Sequence, residues 1–213
     1  SLVTAVGGPI LDAVKHRTRD WSIKTGSSHM HAHGLLSHQL DIILSDDALE
    51  DHPDLCRFPI LREPFIIALP NDYSIKQLDL AQLCRDLDFV RYSEHSLIGQ
   101  TIERYLRRTQ LEPAMRLQLD NSYAIASMVS AGAGWTITTP LCLFQSGIKM
   151  HQVQCLPIPG DSFVRSLTLV ARNNELLDLP KTIANDSRAI LKDKFLQEVG
   201  AHLPWLEGQI VID

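Results

Sequence analysis

The stretch LDNSYAIASMVSAGAGWTITTP, residues 119–140, decides the fold class of this chain. Asn121 or Ser122 is suited to cap a helix, because a short polar side chain accepts a hydrogen bond from the first free N–H groups of the helix. Gly132 then ends the helix, and Trp-Thr-Ile-Thr alternates like a strand that Pro140 stops. This order is typical of α/β domains in which helix N-termini and strand ends face a ligand.

Composition and charge exclude several classes of protein. The chain has 213 residues, of which 45% are hydrophobic and 21% charged, so it is long enough for one large domain or two small ones. Its net charge is −5, whereas a nucleic-acid-binding domain carries a positive footprint. It has no apolar run of about 18 residues and no visible signal peptide. The four cysteines lack C-x-x-C spacing. We therefore expect reduced thiols, a cytoplasmic location, no membrane span and no direct contact with DNA. The alternative for the thiols is a redox-sensing pair of Cys142 and Cys155.

Helical and strand patterns alternate along the whole chain, which predicts an α/β fold with parallel sheets. The apolar run at 40–44 in particular is typical of a buried parallel strand. The predicted helices lie at 9–18, 26–38, 78–83, 96–106, 121–130 and 183–199, and the predicted strands at 21–24, 40–44, 65–69, 89–92, 115–119, 135–138, 167–170 and 209–212.

Three phrases of the sequence resemble those of one protein family. Residues 129–140 are similar to its V-x-A-G-x-G-I-x-x-x-P, with Trp135 in place of a small aliphatic residue and the proline one place later. Residues 26–44 are similar to G-x-x-x-x-L-x-x-G-x-L-D-x-A-I, with Gln39 in place of a glycine. Residues 64–70 resemble the strand that follows the first hinge. Their order and spacing indicate that the chain resembles the effector-binding domain of LysR-type transcriptional regulators.

The resemblance implies a type 2 periplasmic-binding-protein fold, in which two Rossmann-like α/β lobes are joined by two hinge strands. It places the hinges at polar breaks near 45–48 and 171–174. Subdomain I would then comprise 1–46 and 173–213, and subdomain II would comprise 47–172. The family's first strand precedes the helix that starts near Ser1, so this strand is expected to be missing, together with an upstream winged helix-turn-helix.

The resemblance also implies a small effector in the cleft between the lobes, held by polar groups at helix starts and strand ends. Free N–H groups and helix dipoles there favour an anionic or strongly polar molecule. The alternative for each serine or asparagine is that it only caps its own helix. The expected effector-binding residues are Ser1, Leu2, Ser27, Ser28, Ser45, Tyr92, Ser93, Asn121, Thr138 and Thr139.

The sequence offers no catalytic arrangement and no complete metal site. His29 and His33 lie one turn apart on a predicted helix, with His38 nearby, and could share a metal, but no Cys, Asp or Glu at ligand spacing follows before Asp41. We interpret the histidines as an exposed or cleft-facing helix start. A nucleophile elbow and a phosphate loop are both absent. We therefore expect no catalytic residue, no cofactor and no enzyme activity.

The leading hypothesis is the sensor domain of a LysR-type regulator. Its partners would be a small-molecule effector and further copies of itself, as a homodimer or homotetramer, with DNA bound only through an N-terminal domain outside this chain. In the family, the helix after Pro9 and the strand at Trp21 lie against the second lobe of another subunit. The alternatives are a solute-binding receptor of the same fold and a two-lobed enzyme.

Overall fold

The structure is a computed structural model that describes residues 7–8, 10–12, 15–17, 20–75, 77–114, 117–147, 152–160 and 163–213. Ser1 and Leu2, which were expected to bind the effector, lie outside these ranges. Within them, every helix is too short or too polar to span a bilayer.

In chain order, the strands are β1 (Ile42–Ser45), β2 (Leu55–Pro64), β3 (Ile66–Pro70), β4 (Val90–Tyr92), β5 (Leu117–Leu119), β6 (Thr136–Thr138), β7 (Val153–Pro157), β8 (Val164–Arg172) and β9 (Val211–Ile212). The helices are α1 (Ser28–Leu36), α2 (Leu80–Asp86), α3 (Leu97–Arg108), α4 (Ser122–Ser130), α5 (Pro140–Gln145), α6 (Leu179–Ile190) and α7 (Leu196–His202). A π-helical turn, Leu191–Phe195, joins α6 to α7, and short 3-10 helices lie at Lys15–Arg17 and Pro204–Leu206.

The chain forms two compact units, the first made of residues 1–63 and 165–213 and the second of residues 64–164. These divisions fall at other positions than the boundaries 46/47 and 172/173 that the polar breaks suggest. Strands β2 and β8 are neighbours in one sheet, so they keep residues 47–63 and 165–172 in the first unit. Polar breaks in the sequence mark the ends of β1 and β8 rather than the crossings between the units.

The sheet of the first unit has the order β1-β8-β2-β9. Strand β1 pairs with β8 in antiparallel register, with Ile42 opposite Ala171 and Ser45 opposite Thr168. The predicted parallel pairing of β1 is therefore wrong. An apolar run indicates burial on both faces, but it does not show the direction of the neighbouring strand. Strand β9 pairs antiparallel with β2, which confirms the strand predicted in the C-terminal tail.

The second unit contains the parallel strands that the alternating pattern predicts. Strand β4 pairs parallel with β5, and a parallel bridge between Phe89 and Trp135 links β4 to β6. Strand β3 pairs antiparallel with both β6 and β7. The rings of Phe89 and Trp135 lie 4.6 Å apart in the core of this unit. Strands β5, β4 and β6 therefore run in one direction through a common core.

Gly134, in the glycine-rich turn of residues 119–140, allows the backbone to approach Asp88 closely. A Cβ at Gly134 would lie 2.0 Å from the carbonyl oxygen of Asp88, and its φ is +151°. Only glycine permits this approach. It brings Trp135 N to 2.9 Å from Asp88 O and Val90 N to 2.8 Å from Trp135 O. The turn thus aligns the start of β6 with β4.

Several sequence predictions differ from the structure. Residues 20–27, all described, form neither helix nor strand, so the strand predicted at 21–24 is wrong. Of the helix predicted at 9–18, residues 10–12 are helical, 15–17 form a 3-10 turn, and the rest lie outside the described residues. Strand β2 was not predicted, because Pro59 and Pro64 argue against a strand inside a sheet. Strand β7 and helix α5 were also missed.

Candidate functional site

Polar residues lie at the carboxyl edge of three strands in the second unit. Because β4, β5 and β6 are parallel, their C-terminal ends meet at the same edge. The hydroxyl groups of Tyr92 and Thr138 lie 2.7 Å apart and join the ends of β4 and β6. Ser93 N donates to Leu119 O at 2.8 Å and joins the ends of β4 and β5. Three of the expected effector-binding residues, Tyr92, Ser93 and Thr138, therefore come together here.

Helices α3, α4 and α5 begin at this same edge, each with a side-chain cap. Ser96 Oγ accepts from the backbone N–H of Gly99 at 3.1 Å. Asn121 Oδ1 accepts from Ala124 N at 2.7 Å, and Thr139 Oγ1 accepts from Cys142 N at 3.4 Å. Asn121 and Thr139 therefore cap α4 and α5. Their caps use acceptor atoms, whereas the amide of asparagine and the hydroxyl of threonine also carry donors.

A second glycine fixes the loop that carries Ser93. A Cβ at Gly99 would lie 2.2 Å from Ser93 O, so the first turn of α3 packs directly on this carbonyl. Ser96 Oγ donates to the same oxygen at 2.7 Å, and Ser93 Oγ accepts from His95 N at 3.3 Å. Sequence reasoning missed this role of Gly99, since a lone glycine in a helical pattern gives no sign of what lies against it.

The first unit holds another polar set at the N-terminus of α1. Ser27 Oγ caps the helix by accepting from Met30 N at 3.3 Å. Ser28 Oγ donates to Asp46 Oδ1, and Asp46 Oδ2 accepts from Arg165 Nε at 3.3 Å. Arg165 Nη1 lies 3.7 Å from Glu63 Oε1. The side chains of Asp46 and Glu63 are 10% and 0% exposed, so this is a buried ionic cluster.

Sequence reasoning placed Ser27 and Ser28 in the site but missed the three charged residues behind them. The only signals were an aspartate in a polar break and an acidic residue before Pro64. Ser45, also expected in the site, is 3% exposed, and its Oγ accepts from Asp47 N at 3.0 Å. Its hydroxyl therefore shapes the turn after β1.

The histidine cluster lies along α1. His29 and His33 are exposed, and none of the described residues form a group of three or more His, Cys, Asp or Glu side chains able to hold a metal. His31 is partly buried. Burial lowers the pKa of His31 below its usual value, while the carboxylate of Asp46 acts in the opposite direction.

A match to a protein-family model identifies the family of this chain. The model described as the LysR substrate binding domain matches residues 9–181. The chain belongs to this family. It is the effector-binding domain of a LysR-type regulator, with the two-unit α/β fold that the family shares with type 2 periplasmic binding proteins. Members of the family are regulatory domains that bind small-molecule effectors and oligomerise. No curated protein sequence matches the chain.

Solved structures of LysR-family domains share the fold at low sequence identity. The regulatory domain of CcmR from Synechocystis PCC6803, in complex with 2-PG, has a TM-score of 0.73 at 16% identity and covers 91% of this chain and 94% of its own. The effector-binding domain of QuiR in complex with shikimate has a TM-score of 0.68 at 16% identity, covering 89% and 90%. The reduced form of OxyR from N. meningitidis has a TM-score of 0.65 at 16% identity, covering 96% and 91%.

Proposed function

We propose that the carboxyl edge of β4, β5 and β6 recognises a small polar or anionic effector, and that the polar set at the N-terminus of α1 is a second place of effector contact. The observation that carries this proposal is the meeting of three parallel strand ends and three capped helix N-termini at one edge. Strand ends place side-chain hydroxyls there, and helix N-termini add a positive potential. The α1 set belongs to the first unit, where Ser27 and Ser28 are the expected effector contacts.

The proposed contacts come from hydroxyl and amide groups of the expected residues. Ser27, Ser28 and Ser93 are partly exposed and Asn121 is exposed, so their polar atoms are available to a ligand. Tyr92 and Thr138 are 6% and 1% exposed and support the edge through their mutual hydrogen bond. A ligand that accepts from these groups gains directional donors without a buried fixed charge.

We further propose the setting in which this domain works. The chain senses its effector within a longer, cytoplasmic regulator that binds DNA through an N-terminal domain and assembles as a homodimer or homotetramer. Membership of a family of oligomeric regulators supports this. It also supports the proposal that the chain carries out no catalysis. The segment at 20–27 offers an apolar surface for self-association, with Ile23 49% exposed and Trp21 partly exposed.

A ligand screen tests the proposed effector class. Thermal unfolding would be followed with a panel of small carboxylates that includes shikimate and 2-PG, the ligands named for two similar structures. A panel member that binds should raise the midpoint in proportion to the logarithm of its concentration. Apolar and cationic compounds of similar size are screened alongside, and a rise in the midpoint with these compounds alone would contradict the proposed class.

Two tyrosine variants then test the location. Tyr92→Phe removes the hydroxyl that joins the ends of β4 and β6, and we expect about tenfold weaker binding, the equivalent of one good hydrogen bond at about 1.4 kcal/mol. Tyr73→Phe is the matched control, because its hydroxyl donates to Asp86 at 3.0 Å elsewhere in the same unit. Equal affinities in the two variants, measured by calorimetry, would show that the edge is not the site.

A further inference from the structure

The side-chain carboxylate of Asp46 contacts Ser28, the first residue of α1. One oxygen of Asp46 accepts from Ser28 Oγ, and the other accepts from Arg165 Nε at 3.3 Å. Arg165 also faces Glu63, whose side chain is fully buried. Asp46 thus holds the hydroxyl of Ser28, one of the groups proposed to meet the effector.

Stability alone does not explain this buried charge. Taking an ion pair out of water costs about as much as the mutual attraction returns, so buried pairs are weak contributors to stability. The opposite end of the β1–β8 pair is closed by another arginine and aspartate, Arg172 and Asp41, and there the aspartate side chain is 71% exposed. The fold can therefore close this strand pair without burying a carboxylate.

We propose that Asp46 determines which chemical group of an effector can bind at Ser28, excluding a carboxylate and admitting a hydroxyl or amide. This inference rests on the proposed function, because it takes Ser28 as an effector-binding residue. An acidic group at Ser28 would have to displace Asp46 and would then lie against its negative charge. A hydroxyl both donates and accepts, so it bonds to the carboxylate of Asp46 and to Ser28 together.

The experiment uses acetate and acetamide, two probes of the same shape that differ in charge. Binding at α1 is followed by the backbone amide NMR shifts of Ser28 and His29 in the whole chain. Asp46→Asn removes the charge but keeps the shape, and we expect acetate to bind there about tenfold more tightly, because a charge-assisted competitor has become a neutral one. Acetamide affinity should change less than about twofold. If Asp46 had only a structural role, Asp46→Asn would change the affinities for acetate and acetamide by the same factor.

Two further variants keep the proposal falsifiable. Asp41→Asn removes the corresponding carboxylate at the other end of β1 and should change neither probe. Ser28→Ala keeps both charges and is expected to fold, because Ser28 is only partly buried; it should abolish the acetamide-dependent shifts. The proposal is overturned if Asp46→Asn leaves the acetate to acetamide ratio unchanged, if no acetate-dependent shift occurs in Asp46→Asn, or if acetamide binds Ser28→Ala as before.

The result also separates this inference from the proposed function. A carboxylate ligand that depends on Tyr92, combined with an unchanged probe ratio in Asp46→Asn, would leave the effector site standing and remove only the role of Asp46. The opposite result is a changed ratio of acetate to acetamide affinity in Asp46→Asn, with ligand binding that does not depend on Tyr92. It would leave the role of Asp46 standing and remove the edge of β4, β5 and β6 as an effector site.

Discussion

The two ends of the antiparallel β1–β8 pair use the same two residue types in different ways. At one end, Arg172 donates from Nη1 to the carbonyl oxygens of Leu35 and Leu40, both at 2.7 Å. Its ionic partners Asp41 and Glu175 are 71% and 42% exposed, at 3.0 and 2.5 Å. At the other end, Arg165 faces two buried carboxylates, those of Asp46 and Glu63.

The difference shows that Arg172 stabilises the fold through backbone carbonyls, whereas Arg165 pairs with the carboxylates of a buried ionic cluster. Arg172 satisfies backbone carbonyls, and both of its carboxylate partners remain hydrated, so little desolvation cost is incurred. Arg165 and its partners are 9%, 10% and 0% exposed, which is costly unless the charges remain paired. The Arg165 end adjoins the two chain crossings, after residues 63 and 164. The variants below compare the two ends directly.

The largest difference is expected from removing each arginine. Arg165→Met leaves Asp46 and Glu63 buried without this cation and should lower the free energy of unfolding by about 3–5 kcal/mol. Arg172→Met leaves two carbonyls without their donor and should cost about 1–3 kcal/mol. Urea denaturation of the whole chain measures both. A greater loss in Arg172→Met would reverse the comparison.

Neutralising each aspartate should give a smaller difference in the same direction. Asp46→Asn weakens a charge-assisted, buried contact and should cost about 1–2 kcal/mol. Asp41→Asn changes a mostly exposed pair and should cost no more than about 0.5 kcal/mol. Thermal and urea unfolding of the two variants provide the measurement, and equal costs would show that burial does not distinguish the two ends.

The smallest effect concerns the titration of His31. The carboxylate of Asp46 raises the pKa of His31 against the stronger lowering by burial. Asp46→Asn should therefore lower the pKa of His31 further, whereas Asp41→Asn should leave it unchanged. NMR titration of the ring protons gives these values, and an unchanged pKa in Asp46→Asn would show that the two groups do not interact.

The same shift predicts how stability depends on pH. Because the pKa of His31 is lowered in the folded state, the unfolded chain binds its proton more readily. The contribution of neutral His31 is fully present above the unfolded value of 6.5 and is lost as the pH falls below it. His31→Gln should reduce this loss in acid, as measured by unfolding midpoints between about pH 5 and 7.

Local elements could be predicted because their causes lie within a few residues. The cap of α4 joins Asn121 to Ala124, three residues apart, and the cap of α1 joins Ser27 to Met30 over the same separation. Such bonds depend on short polar side chains that precede a helical pattern, which a single sequence displays directly. The three phrases that carry the family resemblance are also local, and the resemblance was confirmed.

The buried cluster is the clearest case of what the sequence could not show. Ser28 and Asp46 are 18 residues apart, and Asp46 and Arg165 are 119 apart. Their contact depends on the register of β1 with β8 and on the antiparallel direction of that pair, which apolar runs do not encode. The compact units divide away from the polar breaks for a similar reason, since β2 with its two prolines gave no strand signal.

By itself, the sequence determined the family, the α/β class, the helix starts and the polar residues that precede them. These follow from periodicity, capping and glycine turns, all of which act over a few residues. Only the tertiary structure decided where the chain crosses between the units, which strand ends share an edge, and which carboxylates become buried. The physical reason is that strand pairing brings together residues distant in the chain, and the burial that follows changes what their charges cost.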